Sequence, residues 1–470
     1  MPWFKFWSST TPSPVRLWRT LQESLRSYAT IGAWTSLRVL QILILKISTC
    51  IILTTALKVN SCPRRRMVYL LSRVSVLKRA MAQVLRCYYA FAGEVVANFV
   101  GEPEILCNNR GVDLFEGFAD IDLKNLNLYN PDQSVEGKLL PKKKDGVLAV
   151  QAMKLKCGSV VVACTFDHRV ADFYSANMFL VSWAKMAQSG EFFLLPSFKR
   201  SVLNPRRPAC FDPSLANMYV PISKLNLKEP QLDFHHLISR IYYIKADQLD
   251  KLQSLASSNG CKKTKLVSFS AFLWQLIAKS AKKNDSTGMV KISKMGIVVD
   301  GRTRLTDKAT MAAYFGNVLS IPYGSKRVDE LIENPLSWIA DEVHDFVKSA
   351  AAKDHFLGLI DFVEVHRPEP VLAKMYSSGS DDGPAFVVSS GQRFPVSGID
   401  FGWGSPAFGS YHFPWGGKAG YVMPMPSPVR NGDWIVYMHL LKEQMELIET
   451  EATDFFKPLT WDYLKLLSTD

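Results

Sequence analysis

His168 and Asp172 stand four residues apart in HRVAD, after an almost continuous apolar run from Ser159 to Phe166 and before a helical stripe that opens at Phe173. A side chain at the carboxyl end of a buried strand faces a crevice, and an imidazole with its ordinary pKa near 6.5 can accept a proton at neutral pH. Asp172 occupies the position of a helix N-cap, where a carboxylate accepts backbone N–H bonds. The spacing leaves two readings open: a general base aimed by its loop, or a packed histidine beside a capping aspartate. A second candidate is Asp400-Phe401-Gly402-Trp403-Gly404, in which two glycines flanking Trp403 predict a tight turn.

The other seven histidines add nothing to this pair. None sits beside a cysteine or a second histidine at metal-ligand spacing, and the eight cysteines form no CxxC pair, so no metal site is predicted. No GxSxG elbow, phosphate-binding loop or GxGxxG after a strand occurs, which removes the usual marks of serine hydrolases, nucleotide hydrolases and dinucleotide enzymes. Scattered cysteines such as Cys164, inside an apolar run, read as buried free thiols of a reducing, cytoplasmic compartment.

The elements that must place these residues follow from periodicity. Leu77, Met81, Val84, Leu85 and Tyr88 make a helical stripe ending near Gly93; strands are predicted over 146–155 and 159–166, and a helix from Phe173 to Gly190. Six prolines between Pro196 and Pro230 mark a crossover. Beyond it, strands at 241–244, 295–299, 385–389 and 434–439 alternate with helices at 247–257, 268–282, 336–351 and 443–455, a mixed α/β pattern. The chain therefore divides into an atypical segment (1–70), a first domain (71–195), a crossover linker (196–235) and a second domain (236–470).

With 470 residues, 47% hydrophobic and 21% charged, the composition is that of a large globular protein and excludes a collagen, a long coiled coil and a disordered tail. The net charge of +13 is not evidence of a nucleic-acid partner. Residues 1–80 carry thirteen Lys and Arg against Glu23 alone, so the body of the chain is nearly neutral, whereas a nucleic-acid groove needs its cations on the folded surface. Residues 39–57 are apolar enough to suggest a bilayer span, but Lys46 near the centre makes it a poor anchor. Segment 1–70 reads as foreign to the fold, as a targeting region or as the chain's sole membrane contact.

The combination of HxxxD with DFGWG resembles the plant BAHD acyltransferases, which transfer acyl groups from coenzyme A thioesters to alcohols or amines. YYAFAG (88–93), DGRTR (300–304) and YFGNVL (314–319) occur in the same order as in that family, and the likeness covers about residues 75–470. Among its members the chain is most similar to the shikimate or quinate hydroxycinnamoyltransferases and the coniferyl alcohol acyltransferases. The resemblance implies a two-domain, chloramphenicol-acetyltransferase-like α/β fold with a channel between the domains. It implies an enzyme that acts as a cytoplasmic monomer, holds no permanent cofactor, and uses acyl-CoA as co-substrate with a small alcohol or amine acceptor. His168 is then the general base and Asp172 an aiming residue paired with Arg302 or Arg304. Residues 400–404 become a structural turn with Trp403 near the channel, and Arg393 a handle for an acceptor carboxylate. Two departures stand out. Phe173 takes a place where relatives commonly have Gly, and the family's N-terminal strand and helix have no match in residues 1–70, which leaves open an impaired acceptor pocket.

Overall fold

The computed structural model describes residues 48–54 and 63–465, apart from 108–110, 135–138, 142–145, 225–236, 259, 284–289, 306–307, 377–382, 413–418 and 430. Two mixed sheets dominate. In the first, strands β1 (Ser48–Thr54), β2 (Asp113–Ala119), β3 (Leu148–Leu155) and β4 (Val160–Phe166) are backed by helices α1 (Pro63–Leu85) and α2 (Phe173–Ser189). Strand β4 is buried at every position, as its unbroken apolar run predicts. Helix α2 starts at the Asp172 cap and stops at Gly190, whose left-handed backbone (φ 76°) closes the last turn.

The second sheet uses β5 (Leu237–Ile244), β6 (Ile292–Ile297), β7 (Tyr323–Arg327), β8 (Ala385–Val388) and, after a further strand β9 (Phe408–His412), β10 (Gly420–Pro426), β11 (Trp434–Leu441) and β12 (Lys457–Pro458). Its order is β7-β6-β8-β10-β11-β5-β12, while the first sheet runs β9-β1-β4-β3-β2. Strand β9 thus belongs by sequence to the second half and by pairing to the first sheet, where Tyr411 lies opposite Cys50. The two lobes share this strand.

Residues 1–70 are not wholly foreign to the fold. Ser48–Thr54 pairs antiparallel with β4 on one side and β9 on the other, and α1 begins at Pro63, fourteen residues ahead of the predicted stripe at Leu77. The physical reason is that STCIILT is a short, β-branched run flanked by two edges whose N–H and C=O groups need partners, so it pairs as a strand. Residues 1–47 and 55–62, with the rest of the apolar stretch, lie outside the described residues. Among the described residues no helix is long and apolar enough to cross a membrane.

The aromatic motifs have a packing meaning. Phe91 of YYAFAG lies 4.9 Å from Phe179 of α2, 5.1 Å from Phe315 of YFGNVL and 6.1 Å from Phe166 at the end of β4, ring centre to ring centre. Each such buried ring contributes about 1.5–3 kcal/mol. Trp183 of α2 donates its Nε1–H to the Leu77 carbonyl of α1 (3.0 Å), and Tyr88 reaches Leu194 (2.7 Å), so helices and strand end form one block beneath HRVAD.

Candidate active site

His168 sits in the turn between β4 and α2, and this turn is held from below and across the lobe boundary. Asp172 caps α2 by accepting the Ser175 N–H (2.9 Å) and forms a two-pronged ion pair with Arg302, Nη1 to Oδ2 at 2.7 Å and Nη2 to Oδ1 at 3.1 Å. It also accepts the Val318 N–H (3.2 Å). Arg302 is 3% exposed and donates in addition to the Gly316 carbonyl (2.7 Å), Ser175 Oγ (3.1 Å) and Asp300 (3.2 Å), with Tyr174 beneath its guanidinium. A buried bidentate pair of this kind fixes geometry more than it adds stability. Arg304 is exposed and takes no part in it.

Asn317 of YFGNVL completes the clamp. Its Nδ2 donates to the carbonyl of His168 itself (2.7 Å) and to that of Arg169 (3.2 Å), so the second lobe grips the backbone that carries the imidazole. Asp167, on the other flank, is buried and paired with Arg169 at 2.7 Å. Sequence reasoning did not single out Asn317 as a site residue; its only signal was membership of the motif.

The imidazole is 4% exposed and lies among aromatic rings. Phe166 is 6.1 Å away and Phe173 5.6 Å, edge-on at 86°. Burial pushes the His168 pKa below the ordinary imidazole value, opposed by the negative charge of Asp172, so the ring is held neutral and able to accept a proton. Phe173 packs edge-on against one side of the imidazole.

A cavity of about 1060 Å³ lies one ring beyond. Phe394, Met425, Ile435 and Trp461 give it an apolar lining, with Asp122 and Lys124 as its charged groups. Phe394 is 5.8 Å from Phe173, which makes the sequence cavity, Phe394, Phe173, His168 continuous. Arg393 does not line this cavity and is exposed. Exposure alternates along residues 391–399 and turns Phe394 inward where the carboxylate handle was expected.

The DFGWG segment is a turn built around one carboxylate. Asp400 Oδ1 accepts the N–H groups of Gly402 (2.8 Å), Trp403 (3.0 Å) and Gly404 (3.0 Å), a curl that requires the positive φ of Gly402 (91°) and Gly404 (98°). Phe401 packs on Trp183 of α2 at 4.8 Å, and Trp403 lies under the guanidinium of Arg73 from α1 at 5.0 Å. Trp403 therefore anchors the turn on the first lobe rather than forming a wall of the cavity, from whose lining it is absent. The chain passes directly from this anchor into β9. Among the described residues no group of three His, Cys, Asp or Glu side chains is placed to hold a metal ion.

The fold and the shared strand define a protein of the two-lobed α/β class. In F. graminearum TRI101, solved with coenzyme A and deoxynivalenol, the same fold covers 89% of this chain and 96% of that one, with a TM-score of 0.69 at 14% identity. Vinorine synthase matches with a TM-score of 0.62 at 16% identity, covering 89% and 92%. The model of the Transferase family matches residues 47–455, and the chain belongs to this family, the BAHD acyltransferases. It is similar to the omega-hydroxypalmitate O-feruloyl transferase of Arabidopsis thaliana, 28% identical over 71% of this chain and 72% of the relative. It is also similar to the shikimate O-hydroxycinnamoyltransferase of Nicotiana tabacum, 25% identical over 81% and 88%.

Proposed function

We propose that the protein is a cytosolic, monomeric enzyme that transfers a hydroxycinnamoyl or similar acyl group from coenzyme A to the hydroxyl of a neutral, largely apolar acceptor such as a phenylpropanoid alcohol. The names of the curated relatives supply the donor class, since both carry an aromatic acyl group, and the coenzyme A bound by TRI101 is in keeping with a thioester donor. The free thiols of Cys87, Cys107, Cys157, Cys164, Cys210 and Cys261 suit a reducing compartment.

One observation carries the acceptor reading. Phe394 lines the interlobe cavity, whose charged groups Asp122 and Lys124 are of opposite sign, and Arg393, where the family resemblance places a grip for an acceptor carboxylate, is turned to solvent. In the reaction, neutral His168 takes the proton of the acceptor hydroxyl as its oxygen attacks the thioester carbonyl. The thiolate leaves readily, its conjugate acid having a pKa near 8.5, and the imidazolium returns the proton to it. No acyl-enzyme is needed. A positioned base contributes about 10² to 10⁴-fold, and juxtaposition of two bound substrates contributes the larger remainder. Asp172, Arg302 and Asn317 act through His168 as positioning residues.

The test is a mass-spectrometric screen of acyl-CoAs against alcohols and amines, run with the full chain and with His168→Ala. Ester formation from a hydroxycinnamoyl-CoA and a neutral alcohol, lost in the variant, is expected. Transfer that prefers shikimate, and drops when Arg393 is replaced by Ala, overturns the acceptor reading.

A further inference from the structure

The cavity and the imidazole are separated by two aromatic rings in mutual contact. Phe173 is 6% exposed, and its position at the first residue of α2 is fixed from several sides. Its carbonyl accepts a bond from Asn177 Nδ2 (2.7 Å), Asn177 is in turn bonded by the Tyr411 hydroxyl, and the Phe173 ring lies 5.4 Å from Tyr411 and 5.8 Å from Phe166. Phe394 is only half-buried and sits on an irregular loop, its ring tilted 44° against Phe173 and 4.8 Å from Tyr411. At these spacings the rings touch, and the direct line from this cavity to His168 passes through both of them. Phe173 is the fixed member and Phe394 the one with room to rotate.

We propose that Phe173 and Phe394 form an aromatic partition that selects acceptors whose hydroxyl is carried on a slender, unbranched arm of a neutral molecule. The proposal rests on reading the cavity as the acceptor's. A methylene or allylic arm needs about the width of one rotated ring edge, whereas a hydroxyl on a saturated ring requires both rings to be displaced from a packed block, and packed blocks resist small volume changes. The lining, apolar apart from the opposed charges of Asp122 and Lys124, suits the body of a neutral acceptor. Discrimination of this steric kind is worth about 10- to 200-fold.

The test compares kcat/KM for coniferyl alcohol, a primary allylic alcohol, with that for trans-4-phenylcyclohexanol, a ring-borne secondary one, using feruloyl-CoA as donor. The wild type favours coniferyl alcohol by at least about tenfold, and Phe173→Ala and Phe394→Ala each move the ratio about tenfold or more toward the cyclohexanol. Melting curves on both variants establish that they are folded, and Phe394→Leu provides a milder step that keeps the core filled. A folded pair of variants with the wild-type ratio overturns the partition. So does a shift in preference between feruloyl-CoA and acetyl-CoA with the alcohol ratio unchanged, since the cavity then serves the acyl group. Failure of the catalytic reading looks different: wild type and His168→Ala form no ester from any alcohol. In that case the partition is read by diethyl pyrocarbonate modification of His168, which is slow in the wild type and about tenfold faster in Phe394→Ala, equal rates overturning it.

Discussion

At the scale of single residues, the neutral state of His168 has a measurable consequence. Burial favours the uncharged ring while Asp172 and Asp167 favour the charged one, and each of these carboxylates is already engaged by a cation, Arg302 and Arg169. The folded-state pKa is below the ordinary 6.5, so the acid limb of kcat/KM has its midpoint below pH 6.5. A limb at 7 or above contradicts the assignment. The sign for stability follows: the unfolded chain binds this proton more readily, so the contribution is intact above pH 6.5 and is lost as pH falls through the lowered value. Asp172→Asn keeps an N-cap oxygen but leaves the Arg302 guanidinium with Asp300 and carbonyls for partners. Breaking a buried pair costs about 3–5 kcal/mol, and Asp300 holds this one near the lower end, a fall in melting temperature of about 3 °C by calorimetry for a molecule of this size. Arg304→Ala, on the exposed neighbour, is expected to change stability by less than about 0.5 kcal/mol.

At the scale of elements, Gly404→Ala is the sharpest probe of the DFGWG turn. Its φ of 98° is costly for any residue with a Cβ, while no atom lies within 4 Å of where that Cβ falls, so the penalty of about 1–2 kcal/mol is conformational and not steric. Chemical denaturation reads it directly; no loss of stability in the variant indicates that the turn is not as described. The same elements show what a single sequence discloses. Helix α2 was legible from cap to stop because Asp172 and Gly190 are local signals, and β4 because its run is apolar throughout. The role of Asn317 and the inward turn of Phe394 were not, since each depends on a partner well over a hundred residues away: the His168 carbonyl for the first and the Phe173 ring for the second. Strand β1 was hidden for another reason. Its run of seven residues lies inside a longer apolar stretch, and only the two waiting sheet edges select which part pairs.

At the scale of the whole molecule, the lobes are joined by more than the crossover. Arg302 and Asn317 reach from the second lobe to the HRVAD turn, residues 401 and 403 lie against α2 and α1, and β9 closes the first sheet. Residues 1–230 and 231–470 produced separately are therefore expected to be insoluble or aggregated, the first with the edge of β1 open and the second with an unpaired β9. Produced together in one cell they are expected to copurify through a tag on either piece. Two pieces that each run as a soluble monomer on size exclusion would show that the shared strand does not hold the lobes together.

That strand also sets the order in which the chain can be finished during synthesis. The lobe made first waits for residues 408–412, which are synthesised more than 350 residues after β1, and until then the backbone groups along one side of β1 are unmatched. A message truncated before codon 408 yields a product with no way to heal its own rim.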